Sequence, residues 1–244
     1  MEDIFIISLK NGCPSIAYTY NDPTIWGEWV MDIAKEARKS NVKNVMVTAG
    51  YITKEAREDI YPFIDAANID LKAFTEVFYH KLTFSHLDDI LDTIKWMYNE
   101  TDVWVELTNL IIPTHNDGEN EFKEMVEWIL ENCDENIPLH FTAFHPDYKM
   151  RDLPNTPQET LNIARKIAIS MGMKYVYVGN VHDIEGQTTY CPSCKTDLIQ
   201  RDWHSVRENK MNKNKCWKCD TIIPGVFTKE SYTSDGLRYG VGLS

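Results

Sequence analysis

A chain of 244 residues with 43% hydrophobic and 25% charged side chains has the composition of a folded protein with a large core, which excludes disorder. A net charge of −12 and a pI near 5.0 set the whole-molecule field against nucleic acid and anionic membranes. No apolar run reaches the length of a membrane span and no signal-type core follows Met1, so a cytoplasmic location is expected.

Residues 1–12 hold a mixed apolar run that fits no class and ends at Gly12. A strand is expected over residues 15–20, after which Asp22 and Pro23 suit the cap and first turn of a helix. Trp26, Trp29, Val30, Ile33 and Ala37 mark its buried stripe. The alternation then repeats. Strand 44–48 ends at Ala49 and Gly50, a helix opens near Thr53, and strand 66–71 delivers Asp70 and Lys72. Ser85 is expected to cap a helix with the stripe Leu87, Ile90, Leu91, Ile94 and Met97. Strand 103–112 stops at Pro113. Phe122, Met125, Val126, Ile129 and Cys133 mark the next helix, with Cys133 read as a small buried hydrophobe.

The fifth strand is expected over 138–144. Thr156-Pro157-Gln158-Glu159 combines a capping box with proline at the first helical position, ahead of Leu161, Ala164, Ile167, Ala168 and Met171. A sixth strand covers 175–178. Six strands separated by helices and short loops demand a parallel sheet with right-handed crossovers, either doubly wound or part of a (β/α) barrel. In either form ligands sit at the carboxyl ends of the strands.

Four of the six cysteines form two knuckles, Cys191-x2-Cys194 and Cys216-x2-Cys219, separated by 21 residues. Each knuckle presents two thiolates to one tetrahedral ion, and two knuckles fill its shell, so a structural zinc is expected, with an iron-sulfur site as the lesser alternative. Between Lys195 and Lys218 seven Lys or Arg face three Asp or Glu, a run read as a solvated face rather than a nucleic-acid surface.

Polar residues at strand ends supply the other candidates: Asn21, Asp22, Thr48, Asp70, Lys72 and His145, with Asp147 beside it. Asp22 doubles as a helix cap. Alternate positions on a strand share a face, which would place Asp70 and Lys72 together. Two chemistries suit such a pair: a Schiff-base lysine in an aldolase-like barrel, or a clamp for an amino-acid-like moiety. A zinc-bearing module for partner docking is the non-catalytic alternative.

The strings AYTYNDPT, NVMVTAGY, ANIDLKAF, HFTAFHPDYKM, YVYVGNV and TYCPSC, in this order, resemble the radical SAM enzymes of the AmmeMemoRadiSam system, and more distantly the activating enzymes of pyruvate formate-lyase. The resemblance implies a partial (β/α) barrel over residues 1–186 lacking its first strand, a zinc-ribbon-like segment over 187–228 and a tail over 229–244. It implies S-adenosylmethionine held by Asn21, Asp22, Thr48, Asp70, Lys72 and His145, beside a [4Fe-4S] cluster that generates a 5′-deoxyadenosyl radical in the complete enzyme. The family's C-x3-C-x2-C loop has no counterpart here. Asn-Asp-Pro stands where Asn-Glu-Pro is usual, and Val-Thr-Ala-Gly where Thr-Asn-Gly is usual. The chain is therefore expected to be inactive alone, as a truncated record or the downstream part of a split enzyme, with Memo-like, AMMECR-like or separately encoded N-terminal proteins as partners.

Overall fold

The computed structural model describes residues 2–227; the expected tail over 229–244 lies outside them. Residues 1–12, unclassified from sequence, contain helix α1 (Glu2–Lys10), closed by Gly12 in the left-handed region at φ 62°. Six strands follow: β1 (Ser15–Tyr18), β2 (Lys43–Thr48), β3 (Ala66–Asp70), β4 (Trp104–Ile111), β5 (Leu139–Ala143) and β6 (Val176–Gly179). They form one sheet in chain order, and the pairings β1–β2, β2–β3, β3–β4 and β5–β6 are parallel. This is the expected α/β partial barrel.

Crossovers are made by α2 (Gly27–Lys39), α3 (Lys54–Ile60), α4 (Glu76–Phe78), α5 (Leu87–Glu100), α6 (Glu119–Asn132) and α7 (Gln158–Ser170). By contacts the described residues form two compact units, one of residues 2–71 and 75–108, the other of 72–74 and 109–227. In the first, Val30, Ile33, Ala34 and Ala37 of α2 and Ile90, Ile94 and Met97 of α5 are buried along with Met46, Ala67, Ile69, Val105 and Leu107 of the strands. In the second, Phe122, Val126 and Ile129 of α6 and Leu161, Ala164 and Ala168 of α7 join Leu139, Phe141 and Val178 in the core.

Several local expectations change. Trp29 was placed on the buried stripe of α2 yet is 65% exposed. Ser85 does not cap α5; a π-helical turn over Tyr79–Thr83 takes its backbone N–H on Tyr79, its hydroxyl bonds Thr83, and His86 occupies the cap position. Cys133 sits half-buried at the end of α6. The capping box before α7 does not form. The Thr156 hydroxyl instead donates to the Ile111 carbonyl and accepts from the Phe144 N–H, whose carbonyl in turn accepts the Thr156 N–H, so this residue staples the ends of β4 and β5. Two tertiary partners outbid one local one.

Beyond β6 the chain forms α8 (Ile184–Gln187), then β7 (Thr189–Tyr190), β8 (Asp197–Asp202) and β9 (Ser205–Asn209) in one antiparallel sheet, and the hairpin β10 (Met211–Asn212) with β11 (Lys215–Cys216). Leu198, Ile199, Met211 and Ile223 of this ribbon share a core with Tyr175 at the start of β6 and with Cys191 and Cys216.

Candidate functional sites

Along β3, β4 and β5 one set of alternate residues is buried and the other half-buried. In the first unit the half-buried set of β2 is Val45 and Val47, whereas that of β3 and β4 includes several polar residues. Asn68 and Asp70 of β3 pair in register with Glu106 and Thr108 of β4. The Thr108 hydroxyl donates to the Asn68 side-chain oxygen at 2.9 Å, and Trp104 Nε1 donates to Glu106 at 3.0 Å. Two carboxylates and two neutral polar side chains thus lie on one face of this strand pair, with Asp70 at the carboxyl end of β3 and Glu106 in the amino half of β4. Sequence reading reached Asp70 and missed Asn68, Glu106 and Thr108, although the alternation W-V-E-L-T-N-L-I carries their signal. In the second unit the half-buried set of β5 and β6 carries His140 stacked on Tyr177, with ring centroids 5.1 Å apart, and the Thr142 hydroxyl donates to the Asn109 carbonyl at 3.3 Å.

Asp22 and Thr48 are brought together. The Asp22 carboxylate accepts the Thr24 N–H at 2.9 Å, the Thr48 hydroxyl at 3.1 Å and the Ala49 N–H at 2.7 Å, and Thr48 accepts the Gly50 N–H at 3.1 Å. Asp22 therefore caps the 3-10 turn Pro23–Trp26, as expected, and also ties the end of β1 to the end of β2. Asn21 beside it is exposed. Asp70 is the last residue of β3. A tight turn with Leu71 N–H on the Ile69 carbonyl follows, so the period-two argument that paired Asp70 with Lys72 stops one residue short.

In the second unit Lys72 is half-buried, and its carbonyl accepts the side-chain amides of Asn109 at 2.9 Å and Asn116 at 2.6 Å. Glu121 completes this clamp by accepting the Phe74 N–H at 2.7 Å; burial pushes its carboxyl upward in pKa although that bond pulls the other way. His145 and Asp147 are exposed in the loop after β5. Left-handed backbone gathers at the strand ends: Tyr20 after β1 and Gly50 after β2 in the first unit, and Thr114, Tyr148 and Asn180 after β4, β5 and β6 in the second. Non-glycine residues in that conformation store strain and cluster at functional loops.

The four cysteines of the ribbon converge, every sulfur lying within 4.8 Å of the others. Cys191 and Cys219 approach to 3.5 Å and Cys194 and Cys216 to 3.7 Å. Sulfurs around a tetrahedral ion with bonds of about 2.3 Å stand about 3.8 Å apart, so the set fits such an ion and offers four thiolates with no open position.

The knuckles repeat one another closely. Cys191 and Cys216 each donate a backbone N–H to the threonine carbonyl five residues on, Thr196 or Thr221, at 2.9 Å. Each accepts from the N–H four residues on, Lys195 or Asp220, at 3.0 Å, and those two residues have φ 59° and 57°. The Thr221 hydroxyl and N–H hold the Cys219 thiol down to about 6.

No protein-family model matches the chain. It is 42% identical over 200 residues to the uncharacterized protein MJ0808 of Methanocaldococcus jannaschii, which covers 82% of this chain, and the chain spans 59% of the length of that curated relative. Among solved structures it is similar to a domain of pyruvate-formate lyase-activating enzyme from Bacteroides vulgatus, with TM-score 0.59 and 16% identity over 68% of this chain and 98% of that one. Streptococcus suis SuiB bound to S-adenosylmethionine gives TM-score 0.58 at 15% identity, covering 74% of this chain and 41% of SuiB. A radical SAM methyltransferase from Sphaerobacter thermophilus gives 0.54 at 14%, covering 71% and 54%. The fold is of the radical SAM type.

These likenesses are of fold. Outside the ribbon the cysteines are Cys13 and Cys133, 120 positions apart in the chain, whereas the ribbon brings four together.

Proposed function

We propose that this chain is the S-adenosylmethionine-binding part of a radical SAM enzyme of the AmmeMemoRadiSam system. The observation that carries the reading is the half-buried polar face of β3 and β4, where Asp70, Asn68, Glu106 and Thr108 present carboxylates and acceptors within a fold of this type. S-adenosylmethionine is cationic at both its sulfonium and its ammonium and carries two ribose hydroxyls. Asp70 and Glu106 complement the positive charge, and Asn68 and Thr108 suit the hydroxyls. Lys72 and His145 are assigned to the cofactor's carboxylate and polar edge, with Asn21, Asp22 and Thr48 forming the loop toward its amine. In the complete enzyme the cofactor supplies a 5′-deoxyadenosyl radical, and the cluster for that reaction comes from residues other than those present here.

Zinc is the proposed ion of the four cysteines, in a structural role. Memo-like and AMMECR-like proteins, and a separately encoded N-terminal part, are the proposed partners in the cytoplasm. Calorimetric titration of the zinc-loaded chain with S-adenosylmethionine tests the reading. Saturable binding weakened about tenfold or more by Asp70→Asn supports it, since one charge-assisted bond carries that much. Absence of saturable binding at millimolar cofactor, or binding indifferent to both Asp70→Asn and Glu106→Gln, overturns it.

A further inference from the structure

Lys72, Ala73 and Phe74 belong to the second unit, where side chains from further along the chain grip their backbone. The Lys72 carbonyl accepts two amides at once, from Asn116 at 2.6 Å and from Asn109 at 2.9 Å. Both asparagines are 2% exposed. Asn116 is engaged at both ends of its amide: its oxygen accepts the Ile112 N–H at 2.6 Å, and its nitrogen also donates to the Leu110 carbonyl at 2.9 Å. It therefore ties the end of β4 to the turn that carries Lys72. The next residue, Ala73, is fully buried, and Glu121 holds the Phe74 N–H. A loop carbonyl is ordinarily left to water, and a buried side-chain amide is costly unless bonded. Two amides on one carbonyl set the peptide plane that follows Lys72, and with it the point from which that side chain departs.

We infer that Asn109 and Asn116 are positioning residues for the Lys72 ammonium, and that they aim it at a free carboxylate. The carboxylate is that of the S-adenosylmethionine proposed above, so the inference rests on that reading. Each asparagine acts through the Lys72 backbone rather than on the cofactor itself. Lysine has a long side chain whose rotamers are costly to order, and a fixed root lowers that cost when the ammonium meets its partner. The gain is read as affinity for ligands that carry the carboxylate, and not for those that lack it.

The test is calorimetric titration of the metal-loaded chain with S-adenosylmethionine and with its decarboxylated counterpart, on the parent and on Lys72→Met, Asn109→Leu and Asn116→Ala. The parent is expected to prefer the carboxylate-bearing compound about tenfold, and Lys72→Met to bind the two alike. Each asparagine substitution is expected to cut the preference about threefold or more while the decarboxylated compound binds as it does to the parent. A merely structural role would weaken both compounds equally. Asn109→Leu puts an apolar side chain of similar size beside Met125, so it is expected to fold and keeps the test valid if Asn116→Ala does not. Equal loss of both compounds, or a preference kept whole in Asn109→Leu, overturns the positioning role and leaves the cofactor reading standing. A parent that binds both compounds alike overturns the carboxylate assignment, and a parent that binds neither overturns the cofactor reading and this inference with it.

Discussion

Asp22 shows how a single carboxylate is committed by its donors. Three donors converge on it, so Asp22→Ala leaves the Thr24 and Ala49 N–H groups and the Thr48 hydroxyl to find other partners, and a loss of about 2–3 kcal/mol in urea unfolding is expected. Thr156→Val removes two bonds at buried backbone groups while keeping the shape of the side chain, with an expected cost of about 1–3 kcal/mol by the same measurement. Beside the π-helical turn, Glu76 accepts from the Leu87 N–H at 2.9 Å and from His86 Nδ1 at 2.6 Å; the first bond, helped by the second, lowers its carboxyl below the ordinary 4.5, and the second raises the imidazole above its ordinary 6.5. The His86 contribution is whole below 6.5 and is lost as pH rises through its raised folded value; the Glu76 contribution is whole above 4.5 and is lost as pH falls through its lowered one. The pair is strongest between those limits, and an NMR titration is expected to find His86 above 6.5 in the parent and near it in Glu76→Gln. The role of Asp22 as a cap was legible in Asn-Asp-Pro because a cap bonds within its own turn. The role of Thr156 was not, because its partners lie 12 and 45 residues away.

Among elements, those with strong periodicity were legible to within a few residues. The stripes of α5, α6 and α7 and the apolar runs of β2 to β6 declare themselves because burial on one side imposes a fixed period. What the same reading passed over is the second side of the strands. Glu106 and Thr108 alternate with buried Val105 and Leu107, and a polar residue inside an apolar strand is as informative as the apolar ones around it. The clamp on Lys72–Phe74 was invisible for another reason, since Asn109, Asn116 and Glu121 act on backbone atoms that carry no sequence signature. Glu121→Ala is expected to free the Phe74 N–H, cost about 1–2 kcal/mol and speed amide exchange there, while Glu121→Gln keeps an acceptor and loses less. The cysteine knuckles sit at the opposite extreme. Their spacing announced the cluster outright, and the near-identical bonds of the two turns show why the motif is so compact. Cys216→Ser, at a buried ligand, is expected to abolish stoichiometric metal content measured by elemental analysis.

For the molecule as a whole, the ribbon is more than an appendage to the last strand. Tyr175 belongs to the ribbon core, Arg201 lies over the Tyr177 ring, Tyr177 bonds Thr189, and buried Gln187 takes the Trp203 N–H while donating to the Val181 carbonyl. Two of the seven cations between Lys195 and Lys218 are paired within this structure: Lys210 with Asp197 and Glu208, and Arg207 with Asp202. Stripping the ion with a chelator is expected to raise hydrogen exchange across β7 to β11 and at Tyr175–Val178, while β2 and β3 keep their protection. Uniform loss of protection would instead mean that the ion stabilises the entire chain. Because β6 is the terminal strand of its sheet and packs against the ribbon through Tyr175 and Tyr177, a ribbon loosened by loss of an ion at its four cysteines would leave that flank open. Scarcity of that metal in the cell would then be felt first as clumping of newly made protein, ahead of any loss of chemistry.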